Sequence, residues 1–221
     1  MRLPHLETHS IMKRVIIFLN GDPPTDKDLS TAAELAHDAT IICADGAYDY
    51  LGTKITPDIL LGDFDSIKCK PELKSTKVIT YPVEKDYSDG YIAMQTAIDL
   101  GAKEVLVYGA FGGRPDYSYV NLSLLYQAKK AGVKSELLGN GNIVTLESGE
   151  IERNVSMGAI ISIVPFFNSA HILSSVGLKY MAKDIILNRE HADFGVSNVA
   201  VDEHVRIEVD GDVLLFIQES E

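Results

Sequence analysis

The chain has no apolar stretch close to the roughly 20 residues that a membrane-crossing helix requires. Its longest apolar runs are strand-sized, which argues against a membrane protein. Cysteine is scarce: Cys43 lies in an apolar run and Cys69 in a polar one, with no C-x-x-C spacing and no secretory leader. Both are expected as free thiols of a cytoplasmic protein. The six histidines are scattered, without the H-x-x-x-H or mixed Cys/His spacing of a zinc site, and read as solvated or capping groups. Cationic residues are outnumbered, 20 Lys and Arg against 32 Asp and Glu, for a formal net charge of -12. No Lys/Arg run offsets this, so a nucleic-acid partner is excluded on charge. No G-x-x-x-x-G-K-[ST] occurs, so any nucleotide must be held without a Walker loop. An acidic protein that handles an anionic nucleotide needs a bridging divalent cation.

What is present is ordinary globular material, 221 residues with 46% hydrophobic and 24% charged, enough for one large domain or two modest ones. Residues 1–11 lack an apolar leader core and precede a second methionine, Met12, so they read as a tail or an expression remnant. From there short β-rich runs alternate with helical patterns. RVIIFLN (14–20), TIICAD (40–45), DILLGD (58–63), VITYP (78–82) and EVLVYG (104–109) read as strands, the first nearly continuous in apolar residues as a strand buried on both faces should be. Helices are expected over 29–38, 88–101 (Ser88 as N-cap, Gly101 beyond the end) and 117–132. This alternation predicts a parallel α/β sheet. After the turn-rich GNGN (139–142) the texture becomes short strands with little helical pattern: IVTLES, EIERNV, AIISIVPF, KDIIL, VRIEV and DVLLFIQ. The expected layout is an N-terminal parallel-sheet, Rossmann-like domain over 12–139 and a C-terminal all-β domain over 140–221.

Ligands of open parallel sheets bind beyond the carboxyl ends of the strands, and acids recur there. Asp45 follows the second strand, Asp63 and Asp65 the third (GDFDS), Asp86 and Asp89 the fourth (KDYSD), and Arg114 with Asp116 the fifth (GGRPD). Any one aspartate is explained as a helix cap or turn former. Four successive strands delivering carboxylates to one edge would repel one another without cations, and magnesium, which takes oxygen ligands, is the natural occupant. The i, i+2 spacing of Asp63 and Asp65 can aim both toward one side of the crevice. Gly112 and Gly113 before Arg114 suit a loop that brings backbone N–H groups to a phosphate beside a guanidinium, although a plain strand-to-helix turn explains the glycines equally well and Arg114 equally suits a surface ion pair.

In this order the segments resemble the thiamine pyrophosphokinase family across residues 14–217. GDFDS matches its Asp-x-Asp signature, KDYSD its K-D-x-T-D segment with Ser88 for threonine, and GAFGGRPDYSYVNLSLL its G-x-x-G-G-R-x-D-H-x-x-x-N segment. GLKY and FGVSN resemble the elements bounding the thiamine pocket. Two departures stand out: Tyr117 replaces a histidine common in the family, and Tyr180 a tryptophan that packs on thiamine. The resemblance implies transfer of the diphosphate of ATP to thiamine, giving thiamine diphosphate and AMP. It implies a catalytic set of Asp63, Asp65, Asp89 and Arg114, with magnesium held by the three aspartates. Nucleotide and phosphate contacts would come from Asp45, Gly112, Gly113, Arg114, Asp116 and Asn121, and thiamine contacts from Tyr180, Ser197 and Asn198. It further implies that the C-terminal domain is a β-sandwich, and a homodimer whose active sites are shared between subunits. A metal-dependent phosphoesterase and a nucleotide-binding regulatory module are the competing readings; the first lacks its usual histidine ligands, and the second has no need of so many acids.

Overall fold

A computed structural model describes residues 13–51, 54–63, 75–81 and 86–219. The fold is mixed α/β, built on one large twelve-stranded sheet. Strands β1 (Arg14–Phe18), β2 (Ala39–Ala44), β3 (Ile59–Gly62), β4 (Lys77–Thr80), β5 (Glu104–Tyr108) and β6 (Lys134–Gly139) are parallel and lie in the order β4-β3-β2-β1-β5-β6. The chain moves outward from β1 to β4, then crosses back to lay β5 on the other side of β1. The direction of winding therefore reverses between β1 and β5. The long crossovers are helical: α1 (Asp26–Leu35) after β1, the single turn α2 (Tyr48–Leu51) after β2, α3 (Asp89–Asp99) before β5 and α4 (Pro115–Lys130) before β6.

Both faces of β1, β2, β3 and β5 are covered, which is why β1 reads as an unbroken apolar run. Val15, Ile17 and Leu19 join Ile42, Leu61, Val107, Met94, Leu124 and Leu125 under α3 and α4. Ile16 and Phe18 join Ile41, Leu60, Leu29, Ala32 and Leu51 on the opposite face. Helix α3 starts and stops where its sequence signals lie. The Ser88 hydroxyl accepts from Tyr91 N at 3.3 Å, and Gly101, at φ 79, lets the chain turn away. Helix α1 begins three residues before the expected start at Leu29, because Thr25 and Asp28 form a capping box, Thr25 N to Asp28 Oδ2 at 3.0 Å and Asp28 N to Thr25 Oγ1 at 3.1 Å.

The second half is all strand apart from a single helical turn, Ala192–Gly195: β7 (Asn142–Asn154), β8 (Ile160–Pro165), β9 (Ser169–Val176), β10 (Ile185–Asn188), β11 (Asn198–Val199) and β12 (His204–Gln218). The GNGN segment does not interrupt the sheet. Asn140 (φ 53) and Gly141 (φ 74) form a two-residue hairpin turn that joins β6 to β7 antiparallel, with Gly139 opposite Asn142. The expected strands IVTLES and EIERNV are one strand, β7; VRIEV and DVLLFIQ are likewise one, β12, whose register shifts between Val209 and Val213. Strand β12 pairs with β7 along its length, with β9 on its first half and β8 on its second. A separate core of Ile151, Ile163, Ile172, Leu187, Ile207, Val213 and Leu215 fills this half, while Val144, Leu146 and Leu214 pack into the α3/α4 core. Among the described residues no helix is long and apolar enough to cross a membrane.

Charged side chains line the groove where β5, β6 and β7 meet: Arg14 pairs with Glu104 and Arg153 with Glu147. Glu136 lies among them, and burial, with Glu104 and Glu147 nearby, raises its carboxyl above the usual range against the opposing pull of Arg153. A carboxyl raised in the fold favours the native state while protonated, and that contribution fades as pH rises through its folded value. Glu136→Gln should therefore melt higher than the parent at pH 7, with the advantage shrinking toward pH about 4. Calorimetry at both pH values checks this; an advantage independent of pH would contradict it.

Candidate active site

The crevice lies where the strand order reverses, between the carboxyl ends of β1 and β5, the position at which open α/β sheets take ligands. It encloses about 350 Å³ and is lined by Leu19, Asn20 and Gly21 after β1, Ala44 at the end of β2, Asp89 and Gly90 at the start of α3, Gly109, Ala110 and Gly112 to Arg114 after β5, and Tyr117 and Asn121 of α4. Its walls are largely backbone because the two strand ends approach without side chains between them. Leu19 N donates to Tyr108 O at 2.9 Å, Gly21 N to Gly109 O at 3.0 Å and Asp22 N to Phe111 O at 2.7 Å. A Cβ on Gly109 would lie 2.0 Å from Leu19 O, and one on Gly112 1.9 Å from the Asp22 carboxyl carbon; both glycines are left-handed, at φ 68 and 88.

Three side chains brace this frame. The Tyr50 hydroxyl donates to Leu19 O at 2.6 Å; burial pushes its phenol well above the ordinary range, so it stays a donor. Buried Asn121 donates through Nδ2 to Ala110 O at 2.7 Å, fixing the β5 wall to α4. Gly112 N donates to Ser118 Oγ at 3.1 Å, which commits that amide within the loop.

Arg114 is the N-cap residue of α4 and makes no side-chain cap; Pro115 occupies the first helical position, where its missing N–H costs nothing. The guanidinium binds Asp116 through two bonds, Nε to Oδ1 at 3.1 Å and Nη2 to Oδ2 at 2.5 Å, and its carbon sits 4.6 Å from the centre of the Tyr117 ring. This pairing holds the Asp116 carboxyl below the usual range and raises the guanidinium further. Arg114 thus lines the crevice with its orientation set by a carboxylate on its edge and a ring on its face.

Three of the expected acids stand at the carboxyl edge of the sheet. Asp45, 7% exposed and left-handed at φ 41, follows β2 and lies against Gly62; Asp63 follows β3; Asp89 opens α3. Of these only Asp89 lines the crevice, together with the expected Gly112, Gly113, Arg114 and Asn121. Asp65 lies outside the described residues. Among the described residues no group of three or more His, Cys, Asp or Glu is placed to hold a metal ion. Magnesium does not require such a group, since it takes one or two carboxylates and completes its shell with phosphate and water.

Tyr180, Ser197 and Asn198 are not at the crevice. They sit in the all-β half, Tyr180 63% exposed with Lys179 Nζ 5.4 Å from its ring centre. Sequence reasoning missed the β1 side of the site, Asn20, Gly21 and Asp22. Its signal was the N-G-D that directly follows the first buried strand.

A mixed α/β sheet whose strand ends frame a crevice with glycine backbone, a guanidinium and a carboxylate suits a ligand that carries phosphate. The description "Thiamin pyrophosphokinase, catalytic domain" matches residues 31–137, and "Thiamin pyrophosphokinase, vitamin B1 binding domain" residues 148–214. Thiamine pyrophosphokinase of Bacillus subtilis is 30% identical over 176 residues, covering 76% of this chain and 81% of its own; thiamin pyrophosphokinase 1 of Caenorhabditis elegans is 28% identical over 189 residues, covering 78% and 76%. The crystal structure of the Bacillus subtilis enzyme superposes with a TM-score of 0.81 at 22% identity, over 95% of this chain and 100% of that one. The Candida albicans enzyme does so at 0.77 and 19%, over 96% and 91%. The chain belongs to the thiamine pyrophosphokinase family and is an enzyme of that activity; neither the phosphoesterase nor the regulatory module is favoured.

The two glycines of the β5 loop make a contrast. Gly109→Ala adds a methyl into backbone and should cost more than 3 kcal/mol, seen as a melting point lower by roughly 6 °C or more. Gly113→Ala meets nothing within 4 Å and carries only its φ of 63, for about 1 kcal/mol. Equal losses in thermal unfolding would contradict the close approach of the two strand ends.

Proposed function

We propose that the crevice between β1 and β5 receives the phosphates of ATP, and that thiamine is presented to it from the all-β half of a second subunit. The observation that carries the first part is the backbone-walled crevice with Arg114 and Asp89 on its rim. Since Gly112 N is committed to Ser118, the amide offered to a phosphate is that of Gly113. Arg114 contributes charge, held in line by Asp116 and Tyr117. Asp63 and Asp89, with Asp65 by its place in the sequence motif, are the residues that would hold magnesium, which when bound offsets the charge of the phosphates. Asp45 and Asn121 support these groups from behind. The thiamine hydroxyl oxygen forms a bond to the β-phosphorus while the bond from that phosphorus to the α,β-bridging oxygen breaks; AMP leaves and the hydroxyl proton is released. Such transfer depends on in-line positioning and charge neutralisation more than on covalent assistance.

Two units follow from this reading: residues 12–139 as the catalytic domain and 140–221 as a β-sandwich thiamine-binding domain, working in the cytoplasm. The division of the family matches between 137 and 148 supports it. The shared site is supported by two observations: Tyr180, Ser197 and Asn198 do not line the crevice of their own chain, and the all-β half exposes large apolar side chains, Tyr180, Met181 and Phe194 at 63%, 73% and 64%.

Incubation with ATP, magnesium and thiamine should give AMP and thiamine diphosphate in equal amounts; inorganic phosphate as the only product would overturn the assignment. Arg114→Ala should lower kcat/KM for ATP by about 10²-fold or more, and Arg114→Lys, which cannot make the bidentate pair, should recover little of it. For the shared site, mixing the inactive Asp89→Asn and Tyr180→Ala/Ser197→Ala variants should restore activity once subunits exchange, because one of the two sites then escapes both changes. Heterodimers confirmed by native mass spectrometry with no recovery would rule the shared site out.

A further inference from the structure

The side chain of Asn198 is largely committed to neighbouring backbone. Its Oδ1 accepts from Tyr180 N at 3.0 Å and from Val199 N at 2.9 Å, and its Nδ2 donates to Tyr180 O at 2.6 Å. One planar amide therefore satisfies both backbone groups of Tyr180, as an opposing strand residue would. No strand does so at this point. The sheet-like contact of the 177–180 segment with β11 ends one step earlier, in the isolated bridge between Leu178 and Ala200 and the bond from Lys179 N to Val199 O at 2.8 Å. Ser197, the residue before Asn198, is left-handed at φ 60, and its amide donates to Ser162 Oγ at 3.0 Å on β8. The clasp is thus anchored to the sheet on its far side.

From this geometry we infer that Asn198 is a positioning residue for Tyr180: it carries the aromatic ring at a fixed height above the sheet edge and does not itself bind the aminopyrimidine. A ring that is 63% exposed has little packing to hold it, so its orientation depends on its own backbone, and both polar groups of that backbone end on Asn198. The hydrogen-bonding role in this turn falls to the Ser197 hydroxyl. The inference rests on the reading that Tyr180 faces thiamine, and its test separates the two.

The chain contains no tryptophan, so Tyr180→Trp introduces a single indole reporter at the position in question. In that background, without thiamine, Asn198→Ala should lower the steady-state fluorescence anisotropy of the indole, while the melting point and circular dichroism stay close to those of the parent. Asn198→Asp keeps the acceptor for both amides but sets a carboxylate oxygen, which cannot donate, against Tyr180 O, so it too should lower the anisotropy. Unchanged anisotropy in both variants would overturn the inference, whatever thiamine does. In the natural background, Asn198→Ala should raise the thiamine KM about three- to tenfold, with the change falling on that constant rather than on kcat or the ATP KM. Combined with Tyr180→Ala it should add nothing further, because its effect passes through the ring. Multiplying effects in the double variant would show Asn198 touching thiamine directly and contradict the positioning role. A Tyr180→Ala variant with an unaltered thiamine KM, beside an anisotropy that does fall, would instead remove the thiamine assignment and leave the clasp standing.

Discussion

The backbones that leave β1 and β5 touch, and the rest of the site depends on that contact. Three backbone hydrogen bonds tie Leu19, Gly21 and Asp22 to Tyr108, Gly109 and Phe111. They form only because Gly21 and Gly109 leave no Cβ in the gap. Closing the gap with backbone leaves a crevice whose walls are largely main chain, the surface a phosphate needs for close approach. Parallel β2 to β4, wound outward from β1, bring the following acids to the same edge, and α4 starts beside it with Arg114 pinned between Asp116 and Tyr117.

Much of this was legible because buried parallel strands and capped helices write themselves plainly. The doubly covered β1, the Ser88 cap and the glycine after α3 stand where the pattern put them. The edge of acids was legible for the same reason, since the parallel order fixes which ends of the strands meet. What was hidden depended on pairing. Strand β6, KSELLG, begins with charge and carries Glu136 and so has no apolar signature; it is a strand because β5 and β7 flank it. Strand β9, SAHILSSV, buries only Ala170, Ile172 and, past a shift in register, Ser175, and its polar half disguised it. The GNGN turn reads as a break in isolation, yet with two left-handed residues it is a hairpin that carries the sheet onward.

The candidate site shows the same division. Arg114, Asp89, Gly112, Gly113 and Asn121 meet in one crevice as their motif suggested. The β1 contribution was missed because Asn20 and Gly21 act through backbone and proximity, which no residue type announces. Asn198 carries the opposite lesson: its amide suits a ligand, but three of its four hydrogen-bonding positions are taken by neighbouring backbone. Side-chain chemistry names candidates, and only the inventory of partners decides between binding and bracing.

A crystal structure of the enzyme with a non-hydrolysable ATP analogue and magnesium tests the account most directly. The phosphates should lie in the crevice between the ends of β1 and β5, within hydrogen-bond distance of the Gly113 amide and the Arg114 guanidinium. Phosphates bound away from that crevice, with Gly113 and Arg114 untouched, would contradict it.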